Sequence, residues 1–182
     1  MRITAPPIVV MGVQGSGKST IGQLLADRLD LPFIDGDRLH SPENITIMAA
    51  GRALTDVERI PWLRQVGRVL AAGSGPGVVV ACSALKRSYR DLLRESAPAL
   101  FVVDPEGPME LVAARIRARQ HEYMPPELLQ SQYDTLEPLG ADELGVIVDI
   151  SQPIASIVGV AVDALANLAV LIARTEGARH AH

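Results

Sequence analysis

The chain is poor in cysteine and in aromatic residues. Cys82 is the single cysteine among 182 residues, so no intramolecular disulfide can form. A reducing, cytoplasmic setting is therefore expected. Cys82 follows Val78-Val79-Val80-Ala81 and reads as a small residue on a buried strand, not as a reactive thiol. Two Phe, one Trp and three Tyr leave the core to Val, Leu, Ile and Ala. A basic surplus is also lacking. Seventeen Lys and Arg against 21 Asp and Glu give a net charge of −4. That argues against a nucleic-acid partner, which needs a basic face, but it leaves room for a local pocket for a small anion. Long uninterrupted apolar runs are missing too. The nearest, Ile154 to Ala173, is broken by Asp163 and Asn167 and diluted by Ser156 and Gly159. An Asp at mid-span costs about 2.5–3.5 kcal/mol on insertion scales, so a helix packed on a sheet is expected and a membrane is not. The N-terminus lacks the n-region and cleavage site of a signal peptide. The polar end, residues 174–182, with His180 and His182, reads as a frayed tail.

What the chain does have is one stretch of high information. Gly12-Val13-Gln14-Gly15-Ser16-Gly17-Lys18-Ser19 fits G-x-x-x-x-G-K-S/T, the phosphate-binding loop of nucleotide triphosphatases and kinases. The apolar run Ile8-Val9-Val10-Met11 before it reads as a buried strand. Ile21, Leu24, Leu25 and Leu29 after it recur at helical spacing. Gly12, Gly15 and Gly17 permit backbone angles and close approaches that a Cβ would block. The N–H groups from Val13 through Thr20 then face an anion at a helix N-terminus. In this motif Lys18 reaches the β- and γ-phosphates, and the Ser19 hydroxyl holds Mg²⁺. ATP or GTP binding follows.

At this length one domain is expected. Short apolar strands alternate with helices. Strands are predicted at Ile8–Met11, Pro32–Asp35, Val78–Cys82, Leu100–Val103 and Val146–Ile150. Helices are predicted at Lys18–Leu29, Pro42–Ala50, Asp56–Ala72, Arg87–Glu95, Pro108–Gln120, Pro126–Leu136 and Pro153–Ala173. The pattern implies an α/β fold: a five-stranded parallel sheet with helices on both faces. Two insertions stand outside the rhythm, a helical segment at residues 39–72 and a short lid at about 119–127.

In open α/β sheets ligands bind at the carboxyl ends of the strands, so the residues just after each strand matter most. Asp35-Gly36-Asp37 follows the second strand and suggests Mg²⁺ water-shell contacts or activation of a hydroxyl nucleophile. Lys86, Arg87 and Arg90 follow the third. Cations at a helix N-terminus oppose the macrodipole, so an anionic ligand would help explain them. Arg115, Arg117 and Arg119 lead into the lid segment and are placed to bring charge to nucleotide phosphates or to the transferred phosphoryl. Gln152-Pro153, after the last strand, is a candidate base-contacting loop.

Four further stretches carry a family resemblance. They are Asp35-Gly36-Asp37-Arg38-Leu39-His40-Ser41-Pro42-Glu43-Asn44-Ile45, Gly51 through Leu63, Cys82 through Arg94, and Leu128 through Glu137. In order and spacing the chain resembles the small bacterial-type gluconokinases, relatives of shikimate and adenylate kinases. The resemblance implies the three-layer P-loop kinase fold and transfer of the ATP γ-phosphate to the 6-hydroxyl of D-gluconate. It implies that Lys18, Asp37 and the lid residue Arg119 carry the chemistry, with Asp37 binding or deprotonating the accepting hydroxyl. Arg59, Lys86 and Arg90 would pair with the carboxylate or hydroxyls of the acid, and His40 would add a neutral donor or acceptor. Ser19 and Asp35 would serve the metal, and Arg115 and Gln152 the nucleotide. Trp62 reads as a packing anchor. A homodimer is suggested by the resemblance alone. The chain departs from the family at Ile47 in place of lysine, Ala53 in place of proline, Glu58 in place of aspartate and Glu122 in place of a lid histidine. Ile47 and Glu122 make the acceptor side more negative than the family pattern. A kinase for another small hydroxy acid, such as shikimate, and an inactive nucleotide-binding regulator are the competing readings. The Lys86-to-Arg90 run argues against the first, and the presence of Lys18, Ser19, Asp35 and Asp37 against the second.

Overall fold

The computed structural model describes residues 5–118 and 126–179, with side chains for 5–118 and 127–174. Five apolar runs form strands: β1 (Pro7–Val10), β2 (Phe33–Asp35), β3 (Val78–Ala81), β4 (Phe101–Glu106) and β5 (Gly145–Asp149). They pair in parallel in the order β2-β3-β1-β4-β5. The helices are α1 (Lys18–Leu29), α2 (Pro42–Ala49), α3 (Asp56–Ala72), α4 (Arg87–Ser96), α5 (Met109–Ala118), α6 (Pro126–Thr135) and α7 (Ile154–Arg179).

β1 and β3 are buried on both faces, and their side chains divide by parity. Val9, Val78, Val80 and Val102 face one cluster, closed by Leu63, Val66 and Leu70 of α3 and Leu93 of α4. Ile8, Val10, Val79 and Val103 face the other, closed by Ile21 and Leu25 of α1 and by Ile157, Val158, Ala161 and Leu165 of α7. This is the expected three-layer arrangement. A third cluster lies at the carboxyl edge of the sheet. Val13 of the glycine loop, Leu85, Val112 and Ile116 of α5, Leu129 of α6 and Ile150 meet there. It seats α5 and α6 against the phosphate loop.

Three features differ from the sequence expectation. β4 continues through Asp104-Pro105-Glu106, past the last β1 partner Val103. Beyond that point one side of β4 has no ladder, so a proline is tolerated. Residues Gly36–Leu39 form a 3-10 turn, begun by the Asp35 side chain accepting from the Asp37 N–H. α7 runs to Arg179, so residues 174–179 are helical where a frayed tail was expected. Among the described side chains its residues from Ile157 to Leu168 pack against the second cluster, while Val160, Val170 and Leu171 are exposed. By length and composition alone, Ile154–Arg174 could span a membrane. Ile157, Val158 and Ala161 of its first three turns are buried against the sheet layer, while about 22% of the span is buried in all.

Candidate active site

The loop after β1 is held open by its glycines. Gly12, Gly15 and Gly17 take φ of 133°, 80° and 94°, which L side chains rarely adopt. A Cβ on Gly15 would also meet Ile116 Cγ1 at 2.6 Å. Gly17 caps α1 with no side-chain hydrogen bond, so the first N–H groups of the helix are free for an anion. Gln14, Gly15, Gly17, Lys18, Ser19 and Thr20 line a cavity of about 360 Å³. Val13 instead turns into the third core cluster, and the buried Ser16 hydroxyl has no hydrogen-bond partner.

The opposite wall of this cavity carries Asp35, Asp37, His40, Arg59 and Ser83. Asp35 organises it. One carboxylate oxygen accepts from the Ser19 hydroxyl at 3.3 Å, and the other from the Asp37 N–H at 3.1 Å. Asp37 itself stays exposed at the cavity wall. The glycine between them is required by packing. A Cβ on Gly36 would lie 2.5 Å from the Ala81 carbonyl oxygen of the adjacent β3. The Asp-Gly-Asp spacing is thus a geometric solution: two carboxylates at the strand end, with no side chain between them to push β2 from β3.

The insertion at residues 39–72 contributes His40, Met48 and Arg59 to the wall facing the loop. Ser41 caps α2, and Thr55 with Glu58 closes a capping box on α3. Asn44 ties the two helices by donating to the Glu58 carbonyl at 3.0 Å. Trp62 stacks on His40 at 4.2 Å and donates to the Gly36 carbonyl at 2.8 Å. It is therefore the packing anchor the sequence suggested, and it locks α3 to the Asp-Gly-Asp turn. Burial holds the His40 imidazole below its ordinary pKa against the opposing pull of Asp37. His40 is thus neutral at neutral pH, and its Nδ1 lacks a hydrogen-bond partner.

A second cavity of about 270 Å³ adjoins the first. Gln14, Met48, Arg59 and Gln132 line both. Its other walls include Arg52, Asp56, Lys86 and Tyr89. The cations here differ in what holds them. Arg52 is paired with Glu58 at 2.7 Å, and Lys86 with Asp56 at 2.8 Å. Those hydrogen bonds raise the Lys86 pKa and lower that of Asp56. Arg59 has only the Leu54 carbonyl, 3.3 Å from its Nε, and the Tyr89 ring beneath it. Among the described residues Arg59 and Lys18 are the cations of the two cavities without an acidic partner. Ile47, one of the departures from the family pattern, lines neither cavity; its neighbour Met48 lines both.

Arg90 is the correction. It was expected to hold the acid, yet it is fully buried and lines neither cavity. Its Nε donates to Glu143 at 2.7 Å, and its terminal nitrogens to the carbonyls of Ala84, Leu85, Glu137 and Pro138. The anion that explains the cations of α4 comes from the chain itself. The Glu137 carboxylate accepts from the Arg87 N–H at 2.6 Å, Asp142 clamps the Arg87 guanidinium, and Glu143 takes Arg90 and Arg94. Three arginines one turn apart thus bind the segment 137–143 to α4.

The expected nucleotide contacts lie at another corner. Arg115 of α5 donates to the Ile150 carbonyl at 2.6 Å, two residues from Gln152. Gln152 is fixed by Asp149. Arg119 and most of the lid, including His121, Glu122 and Tyr123, lie outside the described residues. Sequence reasoning missed Arg52, Met48, Ser83 and Gln132 as cavity residues. Gln132 did sit in one of the four resembling stretches, but without a role. Its side-chain oxygen accepts from the Gln14 N–H at 2.7 Å.

With this geometry in place, the likeness to known proteins can be weighed. The shikimate kinase family profile matches residues 14–142. The thermoresistant gluconokinase of Escherichia coli K12 is 39% identical over 160 residues, covering 86% of this chain and 91% of that one. A gluconokinase of Gluconobacter oxydans is 46% identical over 139 residues, covering 75% and 78%. The crystal structure of a gluconokinase from Sinorhizobium meliloti superposes with a TM-score of 0.88 at 48% identity, covering 96% of this chain and 99% of that one.

Proposed function

We propose, from the premise that this chain belongs to the gluconokinase family, that it transfers the γ-phosphate of ATP to the 6-hydroxyl of D-gluconate, releasing 6-phospho-D-gluconate and ADP. One observation carries the reading. Lys18, Ser19, Asp35, Asp37 and Arg59 line one cavity, which opens into a second one rich in cations. The loop would take the donor phosphates on its N–H groups and on Lys18. The adjoining cavity would take the acid, its carboxylate drawn to the unpaired Arg59 with Lys86 beside it. An Arg–carboxylate pair suits a planar, bidentate contact. Asp37, exposed at the junction, would accept the proton of the attacking hydroxyl. His40, held neutral, would donate or accept a hydrogen bond to the acceptor chain.

Mg²⁺ fits the residues present. The Ser19 hydroxyl and the Asp35 carboxylate are hard oxygen donors facing one cavity, and Mg²⁺ prefers a few such oxygens together with phosphates and water. Bound there, it would neutralise charge between the phosphates. Arg115 and Gln152 would contact the nucleotide beyond its phosphates, and Arg119 of the lid the transferred group. A cytoplasmic setting suits the single thiol, which burial pushes up to about 12 and so keeps protonated. The apolar residues exposed on α7 suit a homodimer.

Coupled ADP release from the purified protein, with gluconate, other sugar acids, shikimate and nucleoside monophosphates as acceptors, tests the reading. Gluconate is expected to give the highest kcat/KM. Absence of turnover with gluconate, or faster turnover with shikimate, would overturn it.

A further inference from the structure

Gln132 joins the two halves of the site. It stands on α6, yet its side chain reaches the phosphate loop and lines both cavities. The orientation of its amide is set by chemistry. A backbone N–H can only donate, so the atom 2.7 Å from the Gln14 nitrogen must be the carbonyl oxygen. The amide NH₂ cannot share that N–H and is left for another partner, on a side chain that lines both cavities. Among the described residues that NH₂ has no partner, although its oxygen is engaged. In the second cavity Lys86 is committed to Asp56, Arg52 to Glu58 and Tyr89 to Asp56, which leaves Arg59 and the Gln132 NH₂ among its free donors in the described residues. A half-used amide at the seam of a donor and an acceptor pocket has a donor to spare where the acceptor chain must pass.

We propose that Gln132 determines acceptor specificity: its amide oxygen is held by the phosphate loop so that its NH₂ donates to one hydroxyl oxygen of the bound acid. The inference rests on the gluconokinase reading and adds a residue to it. It also gives α6 a task. The helix follows the lid segment in sequence, and through Gln132 its position reports directly on the loop that holds the donor.

Two substitutions separate the ends of the amide. Gln132→Leu removes both hydrogen bonds. Gln132→Glu keeps an oxygen for the Gln14 N–H but removes the NH₂ and adds a negative charge facing an anionic substrate. Both are expected to raise the gluconate KM by about tenfold or more, the usual effect of losing a hydrogen bond in a closed site. The ATP KM should rise in both variants, in Gln132→Leu because the Gln14 N–H loses its partner and in Gln132→Glu because the new charge stands beside the phosphate loop, so it is the choice among acceptors that separates the two ends of the amide. A series of monodeoxy gluconates locates the partner. Wild type should discriminate against each analogue, whereas Gln132→Leu should cease to discriminate against one of them and keep the other penalties. If Gln132→Leu fails to fold, the same deoxy series on Gln132→Glu decides: it should cease to discriminate against one analogue and keep the other penalties, and equal penalties throughout would overturn the proposal. Equal penalties for every analogue in wild type and Gln132→Leu, or a gluconate KM unchanged in Gln132→Glu, would overturn the proposal while leaving the gluconokinase reading intact. If wild type does not use gluconate, the same comparison is made with whichever acid supports ADP release. With no acceptor used at all, both readings fall.

Discussion

On the donor side of the cavity the binding groups are mostly backbone, placed by three glycines and one helix N-terminus. On the side proposed for the acid they are long side chains, and two of them, Arg52 and Lys86, are already held by carboxylates of the same chain. The two sides therefore differ in how their chemistry is stored. The donor loop needs no counter-charge until phosphate arrives. The opposite wall carries its own carboxylates, Glu58 on Arg52 and Asp56 on Lys86. Arg59 and Arg90 show the difference within one residue type. Arg59 faces both cavities with a carbonyl and a ring for company. Arg90 is sealed among Glu143 and four carbonyls.

Removing one functional group from each side gives the largest effect. Asp37→Asn should lower kcat on the order of 10²- to 10⁴-fold, the range of general-base contributions, with ATP affinity nearly intact. Lys18→Ala should lower kcat/KM for ATP on the order of 10²- to 10³-fold. Steady-state ADP release with each substrate varied in turn checks both. Full activity in Lys18→Ala would remove it from the phosphate site.

The arginine pair gives the next effect, in two different observables. Arg90→Met leaves Glu143 buried without its main partner, and breaking a buried pair costs about 3–5 kcal/mol. For a chain of this size that is a fall in Tm of roughly 6–20 °C. Arg59→Met should leave Tm nearly unchanged and raise the KM for the acid by roughly ten- to a hundredfold, as for a charge-assisted hydrogen bond. Thermal unfolding and kinetics on both variants suffice. If Arg59→Met loses stability and Arg90→Met loses only affinity, the assignment of roles is reversed.

This pair also marks how far the sequence could be read. The glycine loop and the five strands are local signals, each written in consecutive residues, and each is found within a few residues of where the pattern placed it, with β4 three residues longer at its end. The meeting of Asp35 with Ser19 of the loop is legible for the same reason, since each stands just after a strand. Which arginine is free is not a local property. The partner of Arg90 is Glu143, 53 positions later, in a segment with no motif of its own. Lys86 meets Asp56 from 30 positions away. The basic run from Lys86 to Arg90 looked like an anion site because it is one, but the anions are Glu137, Asp142 and Glu143 of the same chain. Gln132 was hidden for a related reason: its partner is a backbone N–H across 118 positions, which no side-chain pattern reveals.

Near Arg90 a second acid sharpens the contrast between a satisfied and an unsatisfied buried charge. Asp104 on β4 is fully buried, and neither oxygen has a hydrogen-bond partner. Burial, with Glu106 next, pushes its carboxyl up to about 6, only partly offset by the approach of the Leu139 N–H and by Arg90. The folded state thus binds a proton more tightly than the unfolded state. Stability from this group is full below about pH 4 and is lost as pH rises through about 6. Asp104→Asn should therefore raise Tm at pH 8 by an amount corresponding to about 1–3 kcal/mol, with little gain at pH 4. Thermal unfolding across that range reads the slope. An equal change at both pH values would mean that the carboxyl charge is not the cause.

The smallest effect tests whether the acids of the acceptor side truly compete with substrate. Asp56 is exposed, and its pair with Lys86 is a surface pair. Such pairs are worth about 0–1 kcal/mol, so Lys86 can leave Asp56 at little cost when a carboxylate enters. Asp56→Asn removes the competitor and one negative charge from the cavity wall while keeping an oxygen for the Tyr89 hydroxyl. The KM for the acid should fall by about two- to fivefold, and the gain should shrink as salt is added, because both charges are near the surface. ATP KM should not move. A rise in the acid KM would show the opposite arrangement, in which Asp56 itself accepts a hydroxyl of the substrate and Lys86 serves only to hold Asp56 in place.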